Sequence, residues 1–114
     1  MNIQNYLKQL KDTPHSIHFQ DTISVIDAHY DFTPTGFTNA TLVNLADENN
    51  GSCKIFAFAQ LENLSPEQTL HCFGDYYRKD VLQNPQSNDH QNIRNFMHSG
   101  WSGISFNARV LTKK

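Results

Sequence analysis

The stretch Ser52-Cys-Lys-Ile-Phe-Ala-Phe-Ala-Gln-Leu-Glu-Asn-Leu64 decides the fold. Cys53, Phe56, Ala57, Gln60, Leu61 and Leu64 follow the helical period, and Ser52 is placed to cap the first turn. Ile55, Phe58 and Ala59 widen the apolar arc beyond one face. A helix apolar over most of its circumference is a central one, wrapped by its neighbours. The remaining segments are therefore read as a coat around residues 52–63.

Ser65-Pro66-Glu67-Gln68 is a helix start: Ser caps, Pro occupies the first turn, and Gln68 completes a capping box. The spacing predicts one helix running to Leu82 that buries Leu70, Phe73, Tyr77 and Val81. Gly74 inside it costs about 1 kcal/mol relative to Ala and implies close approach of a neighbouring helix. Residues 84–88 form a loop. Asp89 to Ser99 then reads as a helix with two stripes. Ile93, Phe96 and Met97 point inward, while His90, Arg94 and His98 line another face. Gly100 stops it and Trp101 anchors the exit.

On the N-terminal side, Ile3, Tyr6, Leu7 and Leu10 predict an amphipathic helix over residues 2–12, ended by Pro14. Residues 21–31 read as helix with Asp21 as its cap, despite the β-branched Ile23, Val25 and Ile26. Pro34, Gly36 and the threonines of 32–45 exclude a helix as far as Asn39 and favour extended chain. Ile104, Phe106, Arg109 and Leu111 form an extended tail able to pair with the Phe32–Phe37 segment. The expected architecture is α+β: a mainly helical single domain over 1–114, with about five helices and a small β element from 32–37 and 104–111.

With 114 residues there is room for one domain and a self-standing core. At a net charge of −2 the chain lacks the basic footprint that nucleic acid or an anionic membrane demands. No apolar run approaches membrane-spanning length. Cys53 and Cys72 read as reduced, buried thiols of a cytoplasmic protein. The start Met-Asn-Ile-Gln-Asn-Tyr-Leu-Lys shows no Sec signal, which leaves export by a signal-free route open.

Five stretches carry a family resemblance. They are Phe32-Thr-Pro-Thr-Gly-Phe37, Asn50-Gly-Ser-Cys-Lys-Ile-Phe-Ala-Phe-Ala-Gln-Leu61, Leu64-Ser-Pro-Glu-Gln-Thr-Leu70, Cys72-Phe-Gly-Asp-Tyr-Tyr-Arg78, and Asp89-His-Gln-Asn-Ile-Arg-Asn-Phe-Met97 with Gly100-Trp101. In this order, from about residue 30 to residue 106, the chain resembles the HopJ type III effector family. The resemblance implies a small single-domain bacterial protein, with host-directed secretion as one destiny. It brings no catalytic residues, cofactor or substrate.

Three constellations carry chemistry. His29, His71, Cys72, His90 and His98 are metal-ligating types, but no Cys-x-x-Cys or His-Glu-x-x-His spacing joins them. No metal and no cofactor is expected. Cys53 near a helix N-terminus, where the dipole lowers a thiol pKa, pairs on paper with His90 or His29 as a hydrolase nucleophile. The apolar run after it marks a core position instead. The third set is the favoured one: Arg78 and Arg94 as forks for carboxylate or phosphate, His90, Asn92 and Asn95 as donors, Tyr76, Tyr77 and Trp101 as walls. Against it stands a structural network, with Arg94 paired to Asp75, Asp80 or Glu48. The expected function is a binding or interaction module for a protein partner or a small polar or anionic ligand. The alternative is a small hydrolase or metal-dependent enzyme using Cys53 and His90, and an accessory structural protein is a third reading.

Overall fold

A computed structural model describes residues 2–114. Among them are five α-helices, α1 Ile3–Asp12, α2 Phe19–His29, α3 Asn50–Leu61, α4 Pro66–His71 and α5 Gln91–Ser99, and a π-helical segment Tyr76–Val81. Five short strands complete the fold: β1 Tyr30–Phe32, β2 Phe37–Asn39, β3 Leu42–Asn44, β4 Ile104–Phe106 and β5 Leu111–Lys113. The class is α+β, mainly helical.

Helix α3 is the axis of the core. Ile55, Phe56, Phe58 and Ala59 are fully buried. The Phe56 ring meets Phe37, Phe73, Phe96 and Trp101. The Phe58 ring meets Tyr6 and Tyr30 edge-on. Each buried Phe side chain contributes about 1.5–3 kcal/mol by leaving water, and each ring pair about 0.5–1.5 kcal/mol more. Leu61, expected on the inner face, is exposed at the C-terminal end of the helix.

The C-terminal tail pairs antiparallel with the 30–39 region, in two sheets. Strand β5 lies on β1 in the register Phe32↔Leu111. Strand β2 is central in a second sheet, with β3 on one side and β4 on the other, in the register Phe37↔Phe106. The alternation works as pleating demands: Phe37 and Asn39 turn inward from β2.

Several boundaries differ from the sequence reading. Helix α3 begins at Asn50, so Ser52 lies inside its first turn and does not cap it, and α5 begins at Gln91 rather than Asp89. Helix α2 begins at Phe19, so Asp21 is not its cap. Its carboxylate instead accepts the His18 backbone N–H at 3.0 Å from inside the first turn. The longer correction concerns 65–82. The Ser65/Gln68 capping box forms, with Gln68 N–H on Ser65 Oγ and Ser65 N–H on Gln68 Oε1. The helix then breaks, because Gly74 takes φ +61°. A Cβ there would lie 2.6 Å from the Phe19 backbone nitrogen. The close approach implied by Gly74 is real, and it is made by the start of α2. The chain resumes as a π-helical turn, with Leu82 N–H bonded to Tyr77 O at 3.0 Å.

Candidate functional site

Helices α3 and α5 start in the same way. Each is preceded by a non-glycine residue in the left-handed region, Asn49 at φ 53° and His90 at φ 49°. Neither side chain caps its helix. Asn49 Nδ2 donates to Asn44 Oδ1 at 2.8 Å, and His90 Nε2 lies 3.0 Å from Asp80 Oδ2. Neither helix has an acidic residue in its first turn. The first-turn N–H groups of both helices therefore lack an acceptor within the helix and a side-chain cap.

Both starts border one cleft of about 360 Å³. Gly51 and Ser52 line it from α3, and Gln91 and Asn92 from α5. Tyr76 and Phe19 form the aromatic wall, with ring centroids 5.0 Å apart. The His90 ring continues that wall, 5.1 Å from Tyr76. Among the described residues no aspartate or glutamate lines the cleft. Gly51 lets the Phe19 ring lie close, since a Cβ would stand 2.8 Å from Phe19 Cζ and push the ring aside. Two partial positive helix ends, neutral donors and an aromatic wall suit a small anion or polar group with a flat apolar part.

The floor beside the cleft is an asparagine network. Asn92 Nδ2 donates to Asn44 Oδ1 at 2.9 Å. Asn92 Oδ1 accepts from Asn44 Nδ2 at 3.2 Å and from Asn39 Nδ2 at 3.1 Å. Asn39 Nδ2 also reaches the Asn92 carbonyl at 2.8 Å. All three residues are buried, so these bonds lock the start of α5 onto β2 and β3.

Of the residues singled out from sequence, His90, Asn92 and Tyr76 come together here. The others lie elsewhere. Arg94 Nε donates to the Asp89 carbonyl at 2.6 Å, and one terminal nitrogen to the Asp89 carboxylate at 2.6 Å. Its partner is thus Asp89, not Asp75, Asp80 or Glu48, because the left-handed turn at His90 folds Asp89 back over the helix. Asn95 Nδ2 donates to the Asn39 carbonyl at 3.2 Å. Tyr77 packs edge-on against His71 at 5.5 Å. Arg78 is held by the carbonyls of Pro14, Ile17 and His71. Both guanidinium forks are occupied by this chain's own acceptors.

Cys53 corrects the helix-dipole argument. It is 1% exposed and its thiol donates to the Thr35 carbonyl at 3.5 Å. Burial pushes it up to about 11, against the direction a nucleophile needs. Cys72, fully buried, is pushed up to about 12 for the same reason. Among the described residues no group of three or more His, Cys, Asp or Glu side chains is placed to hold a metal ion. No helix of the described residues is long and apolar enough to cross a membrane.

Gly51, Ser52, Gln91, Asn44 and Asn49 were missed in the sequence reading. The Asn49-Asn50-Gly51 run before an apolar helix is the available signal, since Asn tolerates the left-handed conformation.

Comparison with known proteins agrees with the resemblance. The sequence model described as HopJ type III effector protein matches residues 3–111. The crystal structure of VPA0580, a protein of unknown function, is similar at a TM-score of 0.98 and 55% sequence identity, covering 100% of this chain and 95% of that one. No curated protein matches.

Proposed function

The chain belongs to the HopJ type III effector protein family, and from that premise we propose that it is a non-enzymatic binding module whose ligand site is the cleft between the starts of α3 and α5. The carrying observation is the convergence of Tyr76, His90 and two uncapped helix starts on one concavity free of carboxylates. The ligand class is a small carboxylate or phosphate bearing a planar group. The anionic end meets the N–H groups of Gly51, Ser52, Gln91 and Asn92. The planar part lies on the Tyr76–Phe19 wall. Arg94, Arg78, Asn95 and Tyr77 support the surroundings rather than touch the ligand.

The hydrolase reading is weaker on physical grounds. Its thiol is buried and raised in pKa, and His90 is engaged by Asp80. The cytoplasm is the proposed setting, supported by the two buried, unpaired cysteines. Export by a type III route, which the family's description names, is tested separately with a translocation reporter fused to the full chain.

The site is tested by recording backbone amide shifts during titration with inorganic phosphate, acetate, benzoate and a nucleoside monophosphate. Shifts at Gly51, Ser52, Gln91 and Asn92 are expected, larger for the aromatic ligands. Gln91→Glu gives up the 2.6 Å bond from Gln91 Nε2 to the Asn88 carbonyl, which turns the new carboxylate towards the cleft and the helix N-terminus it suits, so the fold stays and the shifts vanish. No shift at these amides with any of the four probes, or shifts indifferent to Gln91→Glu, would overturn the assignment.

A further inference from the structure

We propose that His71 and Arg78 form a proton-sensitive latch that holds the two aromatic walls of the cleft in place. The Arg78 side chain is only 11% exposed. It leaves the π-helical segment and crosses to the turn before α2. One terminal nitrogen donates to Pro14 O at 3.2 Å and to His71 O at 3.4 Å, and the other donates to Ile17 O. Its neighbouring carboxylate, Asp75, stands 4.0 Å away.

The same guanidinium meets His71 Nδ1 at 3.2 Å. A guanidinium has donors and no acceptor, so Nδ1 must offer its lone pair and the ring must be neutral. A proton on Nδ1 removes that acceptor and sets a second cation against the first. The surrounding groups mostly oppose that proton. His71 is buried, Arg78 is beside it, and the His15 ring lies 4.9 Å off. Glu67, on the same helix, pulls the other way, and Tyr77 packs edge-on without charge. Burial, Arg78 and His15 together hold the ring below its ordinary 6.5.

The latch touches both walls. Ile17 leads through His18 into Phe19, and the Phe19 backbone sits against Gly74. Tyr76 belongs to the segment that carries Arg78. Protonating His71 expels Arg78 from its carbonyls, and Phe19 and Tyr76 lose their common tie. This consequence for ligand rests on the cleft being the binding site; the latch itself does not.

The test is a titration of the full chain followed by NMR between pH 8 and pH 4.5. His71 is expected to titrate below 6.5, and the Arg78 guanidinium signals to move at the same midpoint, together with a step in the 16–19 amides separate from the steps of His15 and His18. His71→Gln keeps an acceptor for Arg78 and has nothing to titrate, so that transition disappears. Ordinary titration of His71, Arg78 guanidinium signals that stay still at its midpoint, or an Arg78 transition that persists in His71→Gln would overturn the latch. Should His71→Gln fail to fold, the two wild-type midpoints decide alone. No ligand is present in these measurements, so absent phosphate or benzoate shifts would sink the ligand reading and leave the latch standing.

Discussion

Asn44 and Asn92 exchange hydrogen bonds in both directions across the fold: each amide nitrogen donates to the other's oxygen, at 3.2 and 2.9 Å. The pair is buried and joins β3 to the start of α5. Asn92→Ala removes three side-chain bonds but leaves partial substitutes: Asn44 Oδ1 keeps Asn49 Nδ2, Asn44 Nδ2 keeps a long bond to the Phe37 carbonyl, and Asn39 Nδ2 keeps the Asn92 carbonyl. A loss of unfolding stability of roughly 1–3 kcal/mol is expected. Urea unfolding measures it, and a loss well under 1 kcal/mol would mean the network is slack.

Gly74→Ala tests the break between α4 and the π-helical segment. The left-handed backbone alone costs an L-residue about 1–2 kcal/mol. The new methyl would also lie 2.6 Å from the Phe19 backbone nitrogen. A loss above about 2 kcal/mol is expected, together with shifted amides at His18 and Phe19. A neutral or stabilising effect would show that the chain prefers the uninterrupted helix.

Arg94 governs the acid behaviour of Asp89. Its hydrogen bond, assisted by the charges of His90 and Arg94, holds the Asp89 carboxyl below the usual carboxylate range. A carboxyl lowered on folding stabilises above its ordinary value near 3.8, and that contribution is lost as pH falls through the folded value. Arg94→Gln is expected to leave the protein folded and to move the Asp89 midpoint up towards the ordinary value. Carbon-detected NMR of the carboxyl reads this, and an unmoved midpoint contradicts the pairing.

Both thiols should be inert in the folded state. Cys53 and Cys72 are buried and raised to about 11 and about 12. With an aromatic disulfide reagent at pH 8, native protein is expected to react only as fast as it opens, and denatured protein to give two fast equivalents. Prompt release of one equivalent from native protein would restore Cys53 as a nucleophile candidate.

What the sequence made legible was whatever is decided within a turn or two of chain. The stripe of Ile3, Tyr6, Leu7 and Leu10 gave α1, and Ser65 with Gln68 gave the capping box. The apolar arc of 53–59 marked α3 as central. The tail strands could be placed because Phe32, Phe37 and Phe106 sit in the two segments barred from helix, although the pairing of 42–44 with β2 was not foreseen.

Illegible were features imposed from a distance. Periodicity carries a helix straight through Gly74, because the approach of Phe19 comes from 55 residues upstream. Nothing local distinguishes His90 as the first residue of a helical stripe from His90 as a left-handed turn. That one change sends Arg94 to Asp89 and sets His90 beside Tyr76. Arginine forks look alike in sequence whether they await a ligand or already hold carbonyls, as Arg78 does. The cleft itself is a relation between two helix starts about 40 residues apart, which no window of sequence contains.

Strand β1 finds its partner, β5, about 80 residues later in the chain. During synthesis, Tyr30 to Phe32 must therefore emerge with an open edge and wait until 111–113 have left the ribosome. Closure of that sheet is a non-local event, set by joining segments about 80 residues apart rather than by either strand alone.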